Sequence, residues 1–223
     1  DANTTGGANT AVGRSALGSN TTASDNSAFG HFALLNNTTG SLNCAFGRDA
    51  LVSNTTASNN TAVGYQSLKD NTTGTQNVAV GASALRANTT ANENTAVGYF
   101  AAISNTTGVA NTVMGHNSFD ANSTGTANVA MGAQSLSSNT TADSNTALGA
   151  FCMRDNTTGN NNTAVGRGAL IFNTTANGNT AVGFETLTTN TTGGGNAAFG
   201  RQALQSNTTG ANNTSSGVQA LKT

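Results

Sequence analysis

The chain has no proline and no tryptophan, and only 8% of its 223 residues carry a charge. An average globular protein carries roughly 25%. The net charge is −1, so there is neither a basic field for nucleic acid nor an acidic tail. No stretch reaches the roughly 18 consecutive apolar residues that a membrane helix needs, which excludes membrane insertion of that kind. No signal peptide is visible and the chain opens on Asp1, which predicts a mature or excerpted segment. Two cysteines, Cys44 and Cys152, do not make a disulfide framework. Low hydrophobicity combined with high net charge is the usual mark of disorder. Here the net charge is near zero and the pattern is strict, so order is expected.

What is present is a repeat. Asn recurs at 9, 26, 43, 60, 77, 94, 111, 128, 145, 162, 179, 196 and 213, always 17 residues apart. Counting each such Asn as place one, a glycine stands at place five of every line, from Gly13 to Gly217. A second Asn stands at place twelve, from Asn3 to Asn207, followed by Thr-Thr or, once, Ser123-Thr124. The consensus is N-T-A-V-G-x-x-A-L-x-x-N-T-T-(G/A)-x-x. Place three is mostly Ala, place four is Val, Phe, Met or Leu in all lines but the last, and place nine is mostly Leu. Variation collects at places six, seven, ten, eleven, sixteen and seventeen, which also hold nearly all the charges.

Two helices with their turns do not fit in 17 residues, and Asn, Thr and Gly are poor helix formers. "TAVG" and "AL" read as short β-tolerant runs bounded by turn residues. Short strands at a fixed period, each meeting only the next copy, make a solenoid. The prediction is therefore all-β: a single parallel β-solenoid, or β-roll, of thirteen 17-residue coils, running as one continuous domain over 1–223 without evident caps. The glycines Gly13, Gly30, Gly47, Gly64 and Gly81 fall where the chain turns and tolerate φ > 0. Identical Asn side chains stacked about 4.8 Å apart pass amide hydrogen bonds from coil to coil. That predicts two ladders, one through Asn9, Asn26, Asn43, Asn60, Asn77 and Asn94, the other through Asn20, Asn37, Asn54 and Asn71. Places three and four are both apolar, yet neighbours in a strand point to opposite faces. One packs inside the coil; the other faces something other than water, which predicts lateral association.

The stretch "NTAVGYQSL" resembles the head repeats of trimeric autotransporter adhesins, with their short lines around an N-S-V-A-I-G type core. It is also similar to NTAVG-type repeats of phage tail-fibre-like and bacterial surface proteins. The likeness runs along the whole chain, although the line of 17 is longer and carries an added N-T-T turn. The adhesin resemblance implies a left-handed parallel β-roll, often trimeric, that binds host or matrix surfaces.

Chemistry finds few footholds, and no enzyme activity, cofactor or metal is expected. The carboxylates lie in variable places. His31 and His116 share place six but stand five lines apart, about 24 Å at the strand spacing, too far to share a metal. Cys44 and Cys152 are too distant for a disulfide and read as buried small residues. Each N-T-T is formally a glycosylation sequon, but glycans on adjacent coils would collide, so a structural column is the better reading. The rings at places six and seven, Phe32, Tyr65, Tyr99, Phe100, Phe151 and Phe184, are either lateral or carbohydrate contacts or covers over neighbouring turns. The expected function is a structural or adhesive extracellular fibre at a cell or virion surface. Its partners are other copies of itself, end to end or side by side, and cell-surface or matrix ligands, without nucleic acid. The alternative is an ice-binding solenoid that uses stacked Thr columns.

Overall fold

The structure is a computed structural model that describes residues 2–222. They form two compact units, Asp1–Ala110 and Asn111–Thr223. Each unit is a parallel β-solenoid. The first holds β1 (Thr10–Val12), β2 (Ser27–Phe29), β3 (Cys44–Phe46), β4 (Thr61–Val63), β5 (Val78–Val80) and β6 (Thr95–Val97). The second holds β7 (Thr112–Met114), β8 (Val129–Met131), β9 (Thr146–Leu148), β10 (Thr163–Val165), β11 (Thr180–Val182), β12 (Ala197–Phe199) and β13 (Thr214–Ser216). Within each unit every strand pairs in parallel with the next, in strict register: Ala28 faces Ala45 and Phe29 faces Phe46. A register set by the 17-residue period stacks like on like, so each place of the line becomes a column.

Only places two to four form a strand. The "AL" at places eight and nine, expected as a second β-tolerant run, lies instead in a continuous turn from place six to place eleven. The reason is its backbone. Places seven, nine and seventeen are left-handed and, except at Gly168, Gly178 and Gly195, are not glycine, as at Gln66 (φ 54°), Leu68 (φ 48°) and Asn59 (φ 63°). A left-handed L-residue costs roughly 1–2 kcal/mol. At place nine that cost is offset, because the turn drives Leu68 into the coil with no exposure at all, and full burial of a Leu contributes about 1.5–3 kcal/mol. The turn also keeps its backbone satisfied by alternating partners. Ser67 N donates to Gly64 O within the coil and Leu68 N to Ala84 O in the next, while Asn71 N returns to Leu68 O.

The coil interior is thin. It holds the place-three Ala, the small residue at place eight, the Leu at place nine, Gly or Ala at place fifteen, and both Asn columns. Cys152, at place eight, is fully buried and its thiol donates to Ala164 O at 3.2 Å. Cys44 departs from the expectation of burial: at place two it stands on the outer side of its strand and is half-buried. Among the described residues no helix is long and apolar enough to cross a membrane.

The glycine at place five has no substitute. Gly64 sits at φ +134°, and a Cβ there would lie 2.6 Å from Gly81 O in the next coil. Place fifteen is subtler. A Cβ on Gly40 would meet Ala57 O at 2.1 Å, yet Ala occupies this place in other lines. Along the chain this place reads Gly6, Ala23, Gly40, Ala57, Gly74, Ala91, Gly108, and then Gly125, Ala142, Gly159, Ala176, Gly193, Gly210. No two successive lines carry Ala here, and the close atom is the next line's backbone oxygen rather than its side chain, since a Cβ on Gly193 would meet Gly210 O at 2.2 Å.

Candidate functional site

The two Asn columns converge on one acceptor. Asn71 Nδ2 donates to Gly74 O of its own line at 2.9 Å, and Asn60 Nδ2, at place one of that same line, reaches the same oxygen at 2.9 Å. Gly40 O likewise receives Asn26 and Asn37, and Ala57 O receives Asn43 and Asn54. Each column also runs along itself: Asn54 Nδ2 to Asn37 Oδ1 at 2.8 Å, Asn71 to Asn54 at 3.1 Å, Asn37 to Asn20 at 3.3 Å. In the place-one column the Oδ1 of one Asn accepts the backbone N–H of the next, as Asn9 does from Asn26 and Asn43 from Asn60 at 3.0 Å each. Asn77 receives Asn94 in the same way. These side chains are buried wherever a coil lies on both sides, and they take up backbone groups that a strand ladder leaves unpaired. Both amide hydrogens of Asn54 and Asn71 are donated, so these two N-T-T asparagines serve the fold.

The Thr column beside them is divided. The place-thirteen hydroxyl donates to the place-thirteen carbonyl of the next line, Thr38 Oγ1 to Thr55 O at 3.0 Å. That carbonyl also accepts Thr38 N and Thr39 N. The place-fourteen Thr, as at Thr22, Thr39 and Thr56, is exposed. Place sixteen, expected as freely variable, has a role the sequence reading missed: its polar side chain caps the N–H of the same place one line earlier. Ser41 Oγ accepts from Ser24 N at 3.0 Å, and Asn92 Oδ1 from Thr75 N at 2.7 Å. The signal was there as a bias toward Ser, Thr, Asn and Asp.

The outward strand face carries the apolar column at place four. In the first unit Phe29, Phe46, Val63, Val80 and Val97 follow one another; Phe46 is 39% exposed and its ring stacks on Phe29 at 4.6 Å. In the second unit the column reads Met114, Met131, Leu148, Val165, Val182, Phe199, with Met114 45% exposed.

Beyond the strand, Tyr65, Tyr99 and Phe184 are exposed, whereas Phe32, Phe100 and Phe151 are half-buried. Most of these rings have a neighbour. Phe32 lies 3.7 Å from His31 with Arg14 at 5.9 Å, Tyr99 stacks with Phe100 at 3.9 Å, and Arg48 stands 5.8 Å from Tyr65. Arg167 stands 5.8 Å from both Phe151 and Phe184. Burial pushes the Cys152 thiol up to about 12 and raises Cys44 as well. Among the described residues no group of His, Cys, Asp and Glu is placed to hold a metal ion. Comparison with family models, with curated proteins and with solved structures finds no match to this chain.

Proposed function

We propose that the chain is a structural segment of an extracellular fibre or surface shaft, adhesive in its setting, whose copies associate side by side through the outward apolar column. The observation that carries this reading is place four. Strand alternation spends Ala on the interior and leaves Val, Phe, Met and Leu outside, line after line. A lone polar rod has no use for such a ribbon, and contiguous apolar patches beyond a few hundred Å² mark interaction surfaces. With 8% charged residues, little like-charge repulsion keeps copies apart. Under this reading the chain works at a cell or virion surface.

The test is sedimentation over a concentration series, for the parent and for Phe46→Ser with Val63→Ser and Val80→Ser. Ser216 occupies the same place in β13, so the fold has a precedent for the change. The parent should associate and the variant should stay monomeric with an unchanged β spectrum. A parent that is monomeric throughout refutes the reading. Filaments in electron micrographs would add end-to-end growth to lateral pairing.

Ice binding has one observation in its favour. The place-fourteen Thr is present in all thirteen lines, is exposed, and makes no side-chain hydrogen bond among the described residues. Its neighbour at place thirteen spends its hydroxyl on backbone, so a single column remains. Thermal hysteresis of a dilute solution decides this reading.

A further inference from the structure

The second unit has one break in its outer wall. At place seven the lines carry Ser15, Phe32, Asp49, Gln66, Ser83, Phe100, Asn117, Gln134, Phe151, then Gly168, then Glu185, Gln202 and Gln219. Gly168 is the single glycine of this column. It adopts the same left-handed turn (φ 68°) that its neighbours adopt with side chains, Phe151 at 57° and Glu185 at 50°. A Cβ built on it would make only an ordinary contact, 3.6 Å from Glu185 Cγ. The backbone therefore does not require glycine here. What the glycine makes is space: a cavity of about 210 Å³ opens between the flanking lines.

Its walls are of two kinds. Phe151, Ile171 and Phe172 supply apolar surface, and Arg167 and Glu185 supply one charge of each sign. Phe172 takes place eleven, which holds Ser in five other lines. Each wall is braced. Arg167 is flanked by Phe151 and Phe184, each 5.8 Å away. Arg154 lies 5.6 Å from Phe172 and is itself locked to Asp155 by two hydrogen bonds of 2.7 and 2.9 Å. Glu185 Oε2 accepts from Gln202 at 3.0 Å and Gln205 at 3.3 Å, which leaves Oε1 as an acceptor.

We infer that this notch is a binding subsite for a single pyranose ring of a neutral carbohydrate. Size comes first: at 210 Å³ it falls below the roughly 300–1,000 Å³ of sites for drug-sized ligands, and suits one ring. Charge comes second. A ligand cation would meet Arg167 and a ligand anion would meet Glu185, so a neutral guest is favoured. The third argument is shape and polarity. A pyranose has one face of C–H groups, which packs on an aromatic wall, and a rim of hydroxyls. The Arg167 N–H groups donate to that rim and Glu185 Oε1 accepts from it. This site goes beyond lateral association and does not rest on it.

Saturation-transfer NMR on the full chain tests the inference, with methyl glucopyranoside, methyl galactopyranoside and methyl mannopyranoside as probes. Transfer to ring protons of at least one probe is expected. Two variants use side chains that the repeat already accepts at these places. Gly168→Gln refills the column as Gln66, Gln134, Gln202 and Gln219 fill it elsewhere, and Phe172→Ser removes one wall as in Ser53 or Ser138. Both should melt like the parent while transfer drops to background. No transfer to any probe in the parent, or transfer that survives both substitutions, overturns the assignment. Sedimentation reads lateral association separately, so failure of one proposal leaves the other standing.

Discussion

Replacing Asn71 by Ala probes the ladder at a point where every partner is known. Asn71 is fully buried. Its Nδ2 donates to Asn54 Oδ1 (3.1 Å) and Gly74 O (2.9 Å), and its Oδ1 accepts Asn88 Nδ2 (2.9 Å). The three losses are unequal. Gly74 O keeps the amide of Asn60, and Asn88 keeps its bond to Ala91 O. Two groups are orphaned outright: Asn54 Oδ1 and one N–H of Asn88. A buried polar group left without a partner costs about 1–3 kcal/mol, so the two together should cost about 2–6 kcal/mol, more than an exposed Asn loses. The assay is urea unfolding followed by circular dichroism at constant slope, compared with Asn59→Ala, which alters an exposed neighbour in the left-handed place seventeen. If Asn71→Ala shifts stability by less than about 0.5 kcal/mol, the amide column is not holding the coils and the reasoning fails.

Gly64→Ala should cost more than about 3 kcal/mol, because strain at φ +134° adds to a Cβ placed 2.6 Å from a backbone oxygen; a melting point near that of the parent would contradict it. Gly74→Ala puts Ala at place fifteen in three successive lines, with its Cβ 2.3 Å from Ala91 O, and should lower the melting temperature well beyond Ala57→Gly. Ser41→Ala removes the acceptor for Ser24 N at a half-buried site and should cost about 1 kcal/mol, read from the urea midpoint. Cys152, with its thiol raised to about 12, holds almost no thiolate at neutral pH; a thiol reagent should label Cys44 first and reach Cys152 only on unfolding. Labelling of Cys44 should speed up as pH rises, since its own thiol is raised by burial.

Much of this molecule was legible from spacing alone. A step of 17 that never slips leaves room for one small coil, and residues that recur without change at Asn60 and Asn71 must meet their own copies. Period, parallel register and the amide columns follow from that, because identical lines stacked in register bring identical groups together. The sequence also showed that one of two apolar strand places had to face outward. It did not show which. Alternation has two solutions, and only packing chose the small place-three Ala for the thin interior and left Val63 and Met114 outside. The "AL" run misled for a similar reason. Leucine prefers a right-handed or extended backbone, yet Leu68 is left-handed because burying its side chain outweighs the local cost. The Gly and Ala of place fifteen stood in plain sight, but only the structure puts the carbonyl of the next coil 2.1 Å from where a Cβ on Gly40 would go. The notch at Gly168 is likewise a matter of depth: a missing side chain becomes a cavity only when the coils on either side, carrying Phe151 and Glu185, are in place to wall it. Distances between lines are a tertiary property, and a one-dimensional text with a perfect period states which residues meet but not how closely.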